Sequence, residues 1–170
     1  YSSAGGAMIV PVPLSTDKYY LFINANKFTY SIVDMTLDGG LGDLDTNFKN
    51  TFVRTTNKEF LAATYHCNVK DIWVSVASPT NNDIMSYLFD ENGIIDSVLS
   101  PNSTSIGGLG DAQFSPNGNW LAKGDLSGPA ILFEFDKGRG IVCNPITLTV
   151  GYGVGFSPDE TKLYVTNLSN

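Results

Sequence analysis

Cysteine, histidine and charge are all scarce in this chain of 170 residues, and each scarcity excludes something. Two cysteines, Cys67 and Cys143, are too few for the disulfide framework of a small secreted domain. Two buried free thiols are the expectation, with a bridge between them a matter for geometry. A single histidine, His66, would have to serve any histidine-based triad, dyad or metal site, so neither a metal site nor a cofactor is expected. No apolar run approaches the roughly 18 residues that would cross a bilayer, which argues against membrane insertion. Ten Lys plus Arg against seventeen Asp plus Glu gives a formal net charge of −7, and the basic residues never cluster. Nucleic acid and anionic membrane surfaces are thereby excluded as expected partners, because both require a basic face. The opening Tyr1-Ser-Ser-Ala-Gly-Gly lacks an initiator Met and a signal-peptide pattern, so the chain reads as a processed piece whose targeting information lay upstream.

What is present is apolar and punctuated. Hydrophobic residues make up 42% of the chain, enough for a real core, while only 16% are charged, so Asn, Ser and Thr must cover much of the exterior. Phe114-Ser-Pro-Asn-Gly-Asn-Trp-Leu-Ala-Lys-Gly-Asp125 aligns without a gap on Phe156-Ser-Pro-Asp-Glu-Thr-Lys-Leu-Tyr-Val-Thr-Asn167, an offset of 42 residues. Two weaker copies of the same strand, polar turn and apolar strand run from Leu61 to Val76 and from Ile9 to Ile23. Aligning Lys18, Asp71, Asn119 and Lys162 gives steps of 53, 48 and 43 residues, the period of a four-stranded propeller blade.

Two further strands fit between anchors, such as Ile84 to Asp90 and Ile94 to Leu99 about the turn Glu91-Asn-Gly93, where Asn-Gly favours a tight hairpin. Ala130 to Asp136 and Ile141 to Val150 flank Lys137-Gly-Arg-Gly140 in the same way. Runs such as Tyr19 to Ile23 do not alternate, which means both faces are buried; a two-layer sandwich with one wet face would alternate. The expected fold is therefore all-β, a β-propeller of four-stranded antiparallel blades with about three and a half blades present. The single partial domain, 1–170, divides into blades at about 5–58, 59–107 and 108–150 and a half blade at 151–170. The remaining blades are expected from the same parent chain or from a second copy, since bare blade faces and edges invite aggregation.

Phe156 to Asn167, with its Tyr-Val-Thr-Asn tetrad at 164–167, resembles the YVTN-type propeller repeat. Tyr30-Ser-Ile-Val-Asp-Met-Thr-Leu-Asp-Gly-Gly-Leu-Gly-Asp43, His66-Cys-Asn-Val-Lys-Asp-Ile-Trp-Val74 and Tyr152-Gly-Val-Gly-Phe-Ser-Pro-Asp159 resemble, in order, the amino-terminal propeller of large Bacteroidetes surface proteins. The resemblance implies a seven-bladed parent, export by the type IX route from a Gram-negative cell, and an extracellular or cell-surface location. It implies no catalytic residues. One departure is Val69, where Gly is expected in a tight turn.

The remaining motifs read as structure. His66 is expected late in a strand, so that Cys67 points to the opposite face and a Cys–His dyad cannot form; a hydrogen bond to Asn68 or Asp71 across the turn is its expected role. Asp43-Leu-Asp-Thr-Asn47 opens like a calcium loop but has Phe48 and Arg54 where Gly and Glu are required. Gly39-Gly-Leu-Gly-Asp43 recurs as Gly107-Gly-Leu-Gly-Asp111, yet neither carries the Lys-Ser/Thr of a phosphate loop. Asp96-Ser-Val98 fits an O-glycan acceptor, and Asn102-Ser-Thr104 and Asn167-Leu-Ser169 fit the N-glycan sequon.

A ligand is expected on the face formed by the loops between strands four and one (49–58, 101–107) and between strands two and three (25–27, 78–83, 125–129). The candidate binding residues there are Arg54, Asn57, Asn82, Asp83 and Asp125, with Thr55, Asn81 and Asn102 beside them. The functional expectation is a noncatalytic binding or scaffolding module taking a carbohydrate or protein ligand. The rival is a lactonase-like propeller hydrolase whose active site lies in the channel or in absent blades.

Overall fold

The computed structural model of the chain describes residues 6–166. They form successive antiparallel meanders. The first sheet holds β1 (Ala7–Pro11), β2 (Lys18–Asn24), β3 (Lys27–Asp34), β4 (Asp43–Leu44) and β5 (Thr51–Thr55). Both β4 and β5 pair with β3, at its two ends, so together they act as one fourth strand interrupted by a 3-10 turn at Thr46–Phe48. Asp45 caps that turn by accepting from the Asn47 amide at 2.9 Å, which gives the acidic segment a purely local role.

The second sheet holds β6 (Leu61–Tyr65), β7 (Ile72–Ala77), β8 (Ile84–Asp90) and β9 (Gly93–Ser100). The third holds β10 (Ala112–Phe114), β11 (Trp120–Lys123), β12 (Asp125–Asp136) and β13 (Ile141–Gly151), and a last pair consists of β14 (Gly153–Phe156) and β15 (Leu163–Thr166). None of the sheets closes on itself. Their first strands β1, β6, β10 and β14 neighbour one another in sequence order, so they form the inner wall.

The sheets pack face to face in series. Strand β7 shows why its sequence does not alternate: all six residues are buried, but successive side chains enter different cores. Ile72, Val74 and Val76 meet Tyr20, Phe22 and Phe28 of the first blade, whereas Trp73 and Ala77 meet Leu121, Phe133 and Phe135 of the third. A smaller core joins Ala122 and Ala130 to Val154 of the last pair. Each large side chain buried in this way contributes roughly 1.5–3 kcal/mol. The aromatic rings interlock, with Phe22 and Phe89 centroids 4.9 Å apart and Trp73 and Phe135 at 6.4 Å, both edge to face.

Polar groups in these interfaces are satisfied. Ser75 and Ser86 share a buried hydroxyl hydrogen bond at 2.9 Å, and Asn24 donates to the carbonyls of Lys58 and Phe60 at 3.0 Å, tying the first blade to the second. The Tyr20 hydroxyl donates to the Asp90 carbonyl at 2.8 Å, and Ser100 Oγ accepts from the Val142 amide at 2.9 Å.

The turns between first and second strands repeat the same backbone bond: His66 N donates to Asp71 O, Ser115 N to Trp120 O, Ser157 N to Lys162 O and Val12 N to Lys18 O. The equivalent anchors are thus Lys18, Asp71, Trp120 and Lys162, with steps of 53, 49 and 42, so the anchor at Asn119 is one residue out. Val69, Gly118 and Glu160 occupy the same left-handed position of their turns, with φ of 55°, 74° and 59°, while the first turn, one residue longer, places its left-handed residue, Leu14 (φ 60°), one position earlier. A side chain there costs about 1–2 kcal/mol relative to glycine, so Val69 is strained where Gly118 is not.

Candidate functional site

Strand direction sorts the loops onto two ends. The upper end, where inner strands begin, carries the connections between strands four and one and between strands two and three. The lower end carries the others.

At the upper end, Lys58 reaches from the approach to β6 and donates to Asn81 O at 2.6 Å and Asn82 Oδ1 at 3.2 Å. Asn81 donates to Asp83 Oδ2 at 2.7 Å, Asp83 accepts from the Asn102 amide at 3.0 Å, and Asn102 Nδ2 donates to Asn82 O at 3.2 Å. These residues form one hydrogen-bonded rim. Burial pulls the Lys58 ammonium below the ordinary lysine range. Asn102 Nδ2 also donates to Thr104 O at 2.9 Å, so this sequon amide is engaged in the fold; the second sequon, at Asn167, lies outside the described residues.

Of the candidate binding residues, Asn82 and Asp83 sit in this rim, and Asn57 is exposed beside Lys58. Arg54 does not lie in a loop. Thr51–Thr55 resumes pairing with β3 after the interruption, placing Arg54 opposite Phe28 and leaving only 56–60 as the connection. Asp125 also differs from its expected loop position: it begins β12 opposite Gly151, and the irregular register up to Pro129 absorbs the residues read as a loop.

The most unusual group at this end lies outside the expected binding residues. Lys123 is fully buried, and its Nζ donates to Gly110 O at 2.9 Å and Gly124 O at 2.5 Å. Burial pulls its pKa down to about 8, partly opposed by Asp125, Glu59 and Asp111. Glu59, itself buried, accepts from the Gly110 amide at 2.9 Å and from the Tyr152 hydroxyl at 3.4 Å. Burial raises the Asp111 carboxyl, against the opposing Ala112 amide and Lys123 charge. Gly110 has φ 136°, and a β-carbon there would lie 2.3 Å from Gly124 O, so only glycine lets the segment pass. The network joins three successive sheets, with its hydrogen bonds directed inward. Its signal was present in the repeat, since the strand positions matching Lys123 are Leu21, Val74 and Val165, an apolar column broken by one lysine.

At the lower end the placement of His66 and Cys67 differs from expectation. His66 follows β6 rather than lying within it, so strand alternation does not apply, and Cys67 Sγ lies 3.8 Å from both ring nitrogens. Equal distances put the sulfur on the ring's midline, away from either nitrogen's in-plane lone pair. Nδ1 accepts from the Asn68 amide at 3.1 Å, so in the neutral ring Nε2 carries the proton. The histidine braces the turn, as the hydroxyls of Ser115 and Ser157 do in theirs by accepting from Trp120 and Lys162 amides. Cys67 and Cys143 are both free, and Cys67 is exposed, not buried. No group of three or more His, Cys, Asp or Glu side chains poised for a metal occurs among the described residues.

Serial blades around a common inner wall define a β-propeller. The solved structure of a protein from Bacteroides fragilis, provisionally designated a 6-phosphogluconolactonase, matches this chain with a TM-score of 0.61 at 12% identity. The match covers 95% of this chain and 48% of that one, so the chain spans about half its length. A similarly designated protein from Bacteroides uniformis (TM-score 0.45, 16% identity, 92% of this chain and 63% of that one) and the Dos1 propeller (0.41, 15%, 98% and 52%) also match. At such identities the likeness bears on fold alone. No family model and no curated protein matches the chain.

Proposed function

We propose that this chain is a noncatalytic part of a larger propeller that presents its upper rim to a carbohydrate or protein ligand. The observation that carries this reading is the rim of Lys58, Asn81, Asn82, Asp83 and Asn102, which rigid strands hold in one hydrogen-bonded array. Polar loops fixed on a stiff scaffold are a common basis for recognition. Amide and carboxylate edges of this kind suit the hydroxyls of a sugar or the backbone of a peptide. The inward-turned Glu59 and Lys123 support a structural rather than catalytic use of the charges at this end.

The resemblance of Phe156 to Asn167 to YVTN repeats, and of the longer segments to Bacteroidetes surface propellers, supports an exported cell-surface or secreted parent using the type IX route. The blades that complete the ring come from that parent or from a second copy.

Screening the full chain on glycan and peptide arrays tests the reading, with Asn82→Ala and Asp83→Ala as controls. Specific binding weakened by those changes is the expected result. Metal content together with turnover on a panel of lactones would instead establish the hydrolase.

A further inference from the structure

The lower end carries two apolar side chains where neither burial nor backbone preference calls for them. Leu14 and Val69 both have positive φ, and they are 76% and 80% exposed. The positions matching Val69 in the next two units are Gly118 and Glu160, so that turn itself has no need of an apolar group. Strain retained at exposed positions is an observation from which function can be argued.

Leu14 and Val69 border a hollow of about 210 Å³ floored by Pro11, Tyr65 and Ile72. Those three residues also line a second hollow of about 280 Å³ that reaches Phe114 and Pro116, so the two form one trough across three blades. Among the described residues lining it, Lys70 alone is charged, in a chain whose formal net charge is −7. A mixed but predominantly apolar trough with a single cation at its rim complements an apolar ligand bearing one negative charge.

We propose that this trough docks an extended apolar protein segment carrying a carboxylate, which pairs with Lys70 while its side chains pack between Leu14, Val69 and Tyr65. The surface lies at the opposite end from the polar rim and does not depend on it. Function here opposes stability: glycine at either turn relieves strain and removes the contact.

The test is a phage-displayed library of random linear peptides panned on the full chain, with depletion on the Leu14→Gly/Val69→Gly double variant. Recovered peptides are then synthesised with a fluorescein label for anisotropy titration. Apolar peptides containing Asp or Glu are expected, with binding weakened at least about tenfold by the double variant, given the apolar area lost, and likewise by Lys70→Glu. The double variant is expected to unfold at higher urea than the parent, which keeps misfolding from mimicking lost binding. The Leu14→Gly/Val69→Gly variant is expected to keep undiminished any array binding that the rim shows, so failure of the rim and failure of the trough are distinguishable. Recovery of no peptide, affinities indifferent to these three lower-end changes, or a double variant less stable than the parent would each overturn the proposal. So would a dimer in sedimentation that the double variant abolishes, since that would assign the trough to a second copy.

Discussion

Glu59 and Lys123 hold Gly110 from both sides: the carboxylate accepts its amide hydrogen at 2.9 Å, and the ammonium donates to its carbonyl at the same distance. Because Glu59 enters from the second blade and Lys123 from the third, this small hub sets how the two sheets meet at the upper end.

A pH dependence follows from the lysine. Its folded-state pKa of about 8 lies below the ordinary 10.5, so the folded protein releases this proton first as pH rises. Below pH 8 the buried charge is a cost; between about 8 and 10.5 that cost is relieved, by about 3 kcal/mol in all. Urea unfolding of the parent and of Lys123→Met at pH 7, 8.5 and 10 measures it. The parent should gain on the variant as pH rises, and a constant difference would show that Lys123 is not desolvated.

Gly140 has φ 70°, and a β-carbon there would sit 2.5 Å from the Trp73 ring. Gly39 has φ 65° with nothing within 4 Å. Gly39→Ala should therefore cost about 1 kcal/mol of backbone strain, whereas Gly140→Ala should cost about 3 kcal/mol or more by displacing a core tryptophan. Urea midpoints, with Trp fluorescence as the signal, compare the two.

The Ser75–Ser86 pair makes a third test. Ser75→Ala leaves a buried hydroxyl without its partner and should cost about 1–2 kcal/mol, while Ser75→Ala/Ser86→Ala should cost less than the sum of the single changes. Additive costs would mean the hydroxyls do not interact.

The two thiols should differ in reactivity. Cys67 is exposed, while burial and the nearby Glu134 and Asp136 raise the Cys143 thiol above its ordinary range. Titration with a thiol-reactive disulfide at pH 7.5 should show one fast and one slow phase, and Cys67→Ser should remove the fast one.

Much of the fold was legible because its signals are local. The run Tyr19 to Ile23 announced a core strand, although only Tyr20 and Phe22 are fully buried while Tyr19, Leu21 and Ile23 on the other face are half-buried, and Asn92-Gly93 marked the β8–β9 hairpin. Longer-range features were not. The interruption between β4 and β5 looks like the start of a connecting loop until β3 is seen to pair on both sides of it, which is why Arg54 reads as a loop residue in sequence. Asp125 reads as a loop residue in sequence because a bulge and a loop share the same Gly, Ser and Pro composition. His66 and Cys67 depended on a strand boundary shifted by one residue, which reverses the argument from alternating faces. Lys123 is visible within the repeat, but its meaning lies in its own full burial: of the matching positions Val74 is buried, while Leu21 and Val165 are half-buried.

Radial packing can be tested directly by assigning the aromatic contacts of the full chain in an NMR NOESY spectrum. Phe89 should show cross-peaks to Phe22 and Tyr20 of the first blade, and Trp73 to Phe135 of the third, placing the two faces of the second blade in separate cores. Cross-peaks that bring Trp73 and Phe89 to rings of one and the same sheet would contradict the propeller.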